Sequence, residues 1–400
     1  MKKRLLLLFT VVLIAFKTHA AALLADTGKA APKDTAKVVP PAPFVSMLGM
    51  APGPLALTTE PLNFGGIYLG GVASGLVQFQ NSVFPGDKPV QSDVSNAQVF
   101  IQKPNGIFQF YLQLGTYSLP DIGVPYLRST IATNAFYGAF PQGYIKLAPT
   151  ANFSIEVGKL PTLIGAEYTF SFENMNIQRG LLWNQENAVN RGVQANFTVG
   201  KVTLSASYND GFYSNKYNWI WGSLTYAVNS ANTIALIGGG STSRNTISTF
   251  VTPTYLNNEQ IYNLIYTHTS GQWTIVPYLQ YTKVPQSPLL GTTQDATTFG
   301  GALFVSYAVP KSGFTLPFRF EYINSTGSAT AGVGAPNLLY GAGSNAFSVT
   351  VTPTYQFKRF FARAELSFVK ADKITNGSAL GPIGNDNTQS RALIEAGFLF

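Results

Sequence analysis

The sequence predicts an all-β fold, a transmembrane antiparallel β-barrel of sixteen strands with short periplasmic turns and long outer loops. Three observations carry this. The last ten residues alternate, with Phe400, Phe398, Ala396, Ile394 and Ala392 on one face and Arg391 and Glu395 on the other; that is the period of a strand with one dry face and one wet one. The amino end has the form of an export signal. Only 11% of the residues are charged while 13% are aromatic, whereas soluble domains carry about 25% charged residues, so much of this surface faces something other than water.

Met1 to Arg4 is a positive start, Leu5 to Phe16 is an apolar run, and the small residues Thr18, Ala20 and Ala22 offer cleavage sites. The run is too short to cross about 30 Å of hydrocarbon, so residues 1–20 read as a signal peptide. No later apolar run reaches the roughly 18 residues a spanning helix needs. Losing Lys2, Lys3, Arg4 and Lys17 with the signal leaves 22 basic against 18 acidic residues, a net of +4. That balance is too weak and dispersed for a nucleic-acid partner. With no cysteine, disulfides and thiolate metal sites are excluded.

Residues 21–62 are Ala/Pro-rich (Val39-Pro40-Pro41-Ala42-Pro43, Ala51-Pro52-Gly53-Pro54) and are expected to form a periplasmic lead-in, since prolines cannot join a sheet interior. A short plug or a partner-binding stalk is the alternative. Residues 63–400 are expected to form the barrel. Period two recurs there, as in Phe108/Phe110/Leu112/Leu114, Phe153/Ile155/Val157, Val193/Ala195/Phe197/Val199 and Phe360/Ala362/Ala364/Leu366/Phe368. Strand centres fall near residues 72, 99, 112, 145, 155, 195, 205, 224, 236, 264, 278, 304, 319, 351, 365 and 396. A fourteen-strand count is the alternative, the segment Gln142 to Ala148 being the least regular strand. Seven tight turns (104–106, 149–151, 200–201, 229–231, 270–271, 310–313, 358–359) alternate with eight longer connections, the connectivity of an outer-membrane barrel. Phe357 and Phe360 beside one turn, and Tyr266 and Trp273 beside another, suit an interfacial girdle.

Groups able to carry chemistry are few. His268 is the one histidine left after signal removal, and a lipase-like Ser/His site would have to be built on it. No catalytic residue, cofactor or metal site is expected: typical zinc ligand sets are missing, and Asn385-Asp386-Asn387 offers one carboxylate, a poor calcium site. Strand parity instead points Lys146, Glu156, Arg319, Glu321, Arg363, Glu365, Arg391 and Glu395 inward as candidate pore lining, four of each sign, which a water-filled lumen tolerates. Arg363, Glu365, Arg391 and Glu395 fall on neighbouring strands and are expected to form a ladder on one wall.

The connection from Lys159 to Arg191 is long and apolar enough to fold, and long structured loops are usually functional. It is expected to fold inward over about residues 160–190, with Glu167, Glu173, Arg179, Glu186 and Arg191 as the charged groups of a constriction. This stretch also carries a family resemblance. Gly158-Lys159-Leu160-Pro161, Gly165-Ala166-Glu167, Arg179-Gly180-Leu181-Leu182-Trp183, and Asn190-Arg191-Gly192-Val193-Gln194-Ala195 followed by Tyr208-Asn209-Asp210-Gly211 resemble the OmpL-like β-barrel porins of Gram-negative bacteria. The resemblance implies a passive outer-membrane channel and transfers no substrate.

Together these readings predict an outer-membrane porin through which small hydrophilic solutes and ions diffuse. The expected partners are outer-membrane lipid, the solutes, the barrel-assembly machinery acting on the carboxyl-terminal strand, and two further copies in a homotrimer. An enzyme or adhesin that uses the barrel as a scaffold is the alternative.

Overall fold

A strand that meets lipid on one side and lumen on the other must alternate, and alternation organises the whole molecule. The computed structural model describes residues 51, 53–55, 62–249, 251–326 and 339–400. The signal peptide and most of the Ala/Pro-rich segment lie outside the described residues. Sixteen strands form the barrel: β1 (Ile67–Gln80), β2 (Val90–Lys103), β3 (Phe108–Tyr117), β4 (Gln142–Thr150), β5 (Phe153–Pro161), β6 (Val189–Val199), β7 (Val202–Asn209) and β8 (Trp219–Asn229) make the first half. The second half is β9 (Asn232–Ser241), β10 (Gln260–Ser270), β11 (Trp273–Val284), β12 (Ala296–Ala308), β13 (Phe314–Ser325), β14 (Asn345–Val351 continuing as Thr354–Phe357), β15 (Phe360–Asp372) and β16 (Thr388–Leu399). The strand β4 decides against fourteen. It runs to Thr150, so its turn is Ala151-Asn152, one step later than expected.

Each strand pairs antiparallel with its chain neighbour, and β16 closes on β1 from Arg391↔Gln80 to Leu399↔Val72. Phe400 finishes the seam: Gly71 N–H donates to Phe400 O at 2.8 Å and Phe400 N–H to Gly71 O at 3.0 Å. Closure satisfies the backbone where lipid cannot. A short strand, Leu62–Phe64, pairs with the start of β1. The interruption in β14 falls at Pro353, which has no N–H to give the ladder. Its register is continuous across the gap, from Val351↔Leu366 to Thr354↔Arg363, so the strand loses bonds there but keeps its alignment.

Along β15, Phe360, Ala362, Ala364, Leu366 and Phe368 face out, while Phe361, Arg363, Glu365, Ser367 and Val369 are buried. Rings mark both rims of the outer belt. Trp273 and Tyr307 (4.7 Å between centroids) and Phe360 and Phe398 (6.2 Å) lie at the short-turn end. Tyr262 and Tyr281 (6.3 Å) and Phe347 and Phe368 (6.1 Å) lie toward the long-loop end. These are the interfacial girdles of a membrane barrel. The buried core lies inside the ring, where connections packed within the barrel meet inward-facing side chains.

Candidate functional site

All eight predicted inward charges point into the barrel, but the structure gives them two different surroundings. Six of them, Arg319, Glu321, Arg363, Glu365, Arg391 and Glu395, are no more than 3% exposed. What covers them is the connection between β5 and β6, residues 162–188, together with part of the connection between β3 and β4.

The wall grips this loop chiefly by its backbone. Arg363 donates to Ser171 O (2.8 Å), Asn174 O (3.0 Å) and Met175 O (3.0 Å). Glu365 accepts from the successive N–H groups of Ile177 (2.5 Å) and Gln178 (3.1 Å), and Glu321 from those of Leu181 (3.0 Å) and Leu182 (3.3 Å). Arg319 bonds Gln178 O (2.8 Å) and Glu167 (2.6 Å), Glu395 accepts from Ser171 Oγ (3.2 Å), and Arg391 reaches Asp121 O and Val124 O (both 2.6 Å). Of the expected four-residue ladder, the Arg363–Glu395 rung is formed at 3.4 Å, whereas Glu365 and Arg391 turn to backbone groups of the inward connections. Charge-assisted bonds contribute about twice what neutral ones do, and a buried charge left without partners is costly. Loop and wall therefore supply each other with partners.

The other walls hold the loop by packing. Ile164, Met175, Leu181 and Leu182 join one cluster with Ile237, Ile265, Val276 and Phe304. Phe172 lies 5.6 Å from Phe100, and Phe170 meets Tyr117 edge-on at 5.1 Å. Polar ties from β10, β11 and β12 complete the ring: Gly165 N–H to Asn263 (3.1 Å), Gln280 to Leu182 O (3.0 Å) and Thr298 to Gln185 (2.7 Å).

Of the charges assigned to the loop, four are inside it. Arg179 bonds Asp121 at 2.5 Å and lies over the Trp183 ring at 4.4 Å, zipping the two inward connections together. Burial pushes Glu167 up to about 7, partly offset by Arg319. Burial likewise pushes Glu173 up to about 8, against the Phe170 N–H that it accepts, and Glu186 up to about 8, against the Tyr278 hydroxyl. The fifth needs correcting. Arg191 is a residue of strand β6, paired with Asp210 at 2.7 Å and stacked on Tyr213 at 3.9 Å, because β6 begins at Val189.

Sequence reasoning missed two things here and left a third, the place of the lead-in, open between a periplasmic tether and a plug. Gly180 has no side chain where a Cβ would overlap the Glu321 carboxylate; a glycine between Arg179 and two leucines was its one signal. Asn263, Tyr278 and Gln280 hold the loop from the far wall, and nothing local marks them. The described part of the lead-in is not simply periplasmic: Ala51 N–H donates to Ala166 O (2.8 Å), and Leu55 is buried with Phe100 and Phe170. It packs directly on the loop, where a Cβ on Gly53 would overlap the Glu173 carbonyl.

Lys146 and Glu156 have the second kind of surroundings. They pair at 3.1 Å on the wall of a cavity of about 480 Å³ that reaches the turn residues Gly106, Ala151 and Asn152. Its remaining polar lining is hydroxyls and carboxamides, including Gln109, Gln194, Asn196 and Ser205, interspersed with the apolar Ala148, Phe153, Pro161 and Leu163. His268 sits elsewhere, near the short-turn rim on the outward parity of β10, with Nδ1 2.8 Å from Asn232 Oδ1.

The profile of a family described as beta-barrel porin-2, OmpL-like, matches residues 66–400. The chain belongs to the OmpL-like β-barrel porins. No curated protein sequence matches it. Among solved structures, this porin is similar to OmpT of Vibrio cholerae (13% identity, TM-score 0.55, covering 85% of this chain and 100% of that one). It is also similar to the outer-membrane channel DcaP of Acinetobacter baumannii (10%, TM-score 0.56, 84% and 97%). OmpF of Salmonella typhi, solved with daunomycin, is comparable (12%, TM-score 0.56, 85% and 100%). At these identities the likeness is one of fold. The OmpL-like porin is an outer-membrane β-barrel, and its family is one of porins.

Proposed function

We propose that this porin lets small hydrophilic solutes diffuse across the outer membrane, and that the inward loop sets the width and charge of the path. The observation that carries the reading is the rack of Arg319, Glu321, Arg363 and Glu365 holding residues 171–182 by backbone groups. A loop held at so many points is a fixed constriction. The same rack removes those charges from the solute path, and the Lys146–Glu156 pair that lines the cavity cancels itself. Ion selectivity is therefore weak.

Refolded protein in planar bilayers tests this. Replacing residues 165–188 by a short turn is expected to raise single-channel conductance several-fold; unchanged conductance would remove the constriction from the proposal. A strong preference for one sign of ion in the intact protein would contradict the neutral path.

The reading is of a channel, not an enzyme. His268 bonds a carboxamide at the barrel rim, and His268→Ala is expected to leave lipid hydrolysis at background. Assembly as a homotrimer, and insertion by machinery that reads the strand ending in Phe400, belong to the same proposal; cross-linking in native membranes tests the first.

A further inference from the structure

The cavity beside Lys146 and Glu156 has chemistry of its own. It lies between the inner faces of β3 to β8 and is bounded near the root of the inward loop by Pro161 and Leu163. The turns that line it belong to the short-turn side of the barrel, the periplasmic one. Its volume of about 480 Å³ falls within the 300–1,000 Å³ typical of small-molecule sites.

Three features define what it would hold. First, it presents no isolated charge. Lys146 Nζ is 3.1 Å from Glu156 Oε1, and Asn196 Nδ2 donates to the same oxygen at 3.2 Å. An ion entering would meet a pair already neutralised. Second, the remaining polar lining consists of hydroxyls and carboxamides, which both donate and accept. A solute carrying many hydroxyls has the same dual character, whereas an ether or an aliphatic chain lacks donors. Third, these groups are already chained together. Gln194 Nε2 (2.9 Å) and Ser205 Oγ (2.8 Å) both donate to Asn196 Oδ1, and the Thr198 and Thr203 hydroxyls are 3.1 Å apart. Such chains polarise one another and hold their members in place, which lowers the ordering cost of binding.

We infer that this cavity is a periplasmic-side subsite for a neutral, polyhydroxylated solute about the size of one or two sugar rings, with Asn196 at its centre. The inference rests on the channel reading and names its substrate class.

Planar-bilayer recordings with sucrose on the short-turn side test it. Sucrose is expected to block ion current saturably, with a midpoint at least tenfold below that of polyethylene glycol of equal hydrodynamic size. Asn196→Leu is expected to raise the sucrose midpoint at least tenfold. Gln194→Ala, expected to act in the same direction, provides a second variant if the first fails to give a heat-modifiable barrel. Asn385→Ala, in an outer loop, is expected to change nothing. Equal block by sucrose and polyethylene glycol, or block by arginine or glutamate without block by sucrose, would overturn the subsite and leave the channel intact. A wild-type protein that conducts no ions would overturn the porin reading itself, and the subsite with it.

Discussion

At the scale of single residues, the charges in this barrel act as clamps. Arg363 serves three loop carbonyls at once, and methionine at that position keeps the length while removing every donor. Arg363→Met is expected to lower the thermal unfolding midpoint, by an amount corresponding to about 3 kcal/mol, and to make single-channel current noisier; an unchanged trace and midpoint would contradict the clamp. The carboxyls inside the loop add a pH dependence. Glu167, Glu173 and Glu186 hold their protons to about 7, 8 and 8, above their ordinary 4.5. Raised folded values favour the docked loop fully below about pH 4.5 and progressively less as pH rises through 7 to 8. Conductance is therefore expected to climb between about pH 4.5 and pH 8 and to level off above, and Glu173→Gln with Glu186→Gln to flatten the climb. That these residues face inward was legible from strand parity and loop position. That they meet protein instead of water was not, because Glu365 and the Ile177 N–H are 188 residues apart in the chain.

At the scale of elements, strands and connections read differently. A strand's alternation is written in consecutive residues, so all sixteen expected centres fall within observed strands. The loop had only length and apolarity to announce it, and its partners on β10 to β12 carry no local mark. Arg191 shows the limit of boundary reading: a polar residue at a loop root can equally open the next strand. The seam between β1 and β16 is where one residue controls an element. Gly71 leaves room for the Phe400 ring, which a Cβ would overlap, whereas a Cβ on Gly75 would meet its nearest neighbour, Asp93 O, at 3.5 Å. Gly71→Val is expected to cut the yield of heat-modifiable barrel on refolding while Gly75→Ala refolds like the parent; equal yields would deny the terminal ring a part in closure.

At the scale of the whole molecule, the porin has an apolar outer wall and turns its charged strand residues inward, around an interior that also holds apolar clusters. Leu264 and Leu279, near the middles of β10 and β11, are among the exposed side chains of the outer wall. Leu264→Arg is expected to cost about 2–4 kcal/mol in lipid, and Trp273→Arg at the rim about 0–1. Denaturant titrations in vesicles would show it, and equal costs would contradict the assigned membrane depth. The interior is asymmetric as well. One wall spends its charges on the loop, while the wall of β3 to β8 faces the neutral cavity.

The sequence by itself determined the barrel, its closure on Phe400 and which side chains point inward, while the choice of sixteen strands over fourteen waited on β4. Those properties follow from a two-residue period and from turn chemistry, both local, and from a lipid solvent that permits no open edge. Only the tertiary structure decided which inward charges line a path and which are buried against backbone, that Ala51 and Leu55 join the interior, and that the remaining lining is neutral. Each of those depends on groups brought together from distant parts of the chain, where the energy of burying a charge is settled by its neighbours in space and not by its neighbours in sequence.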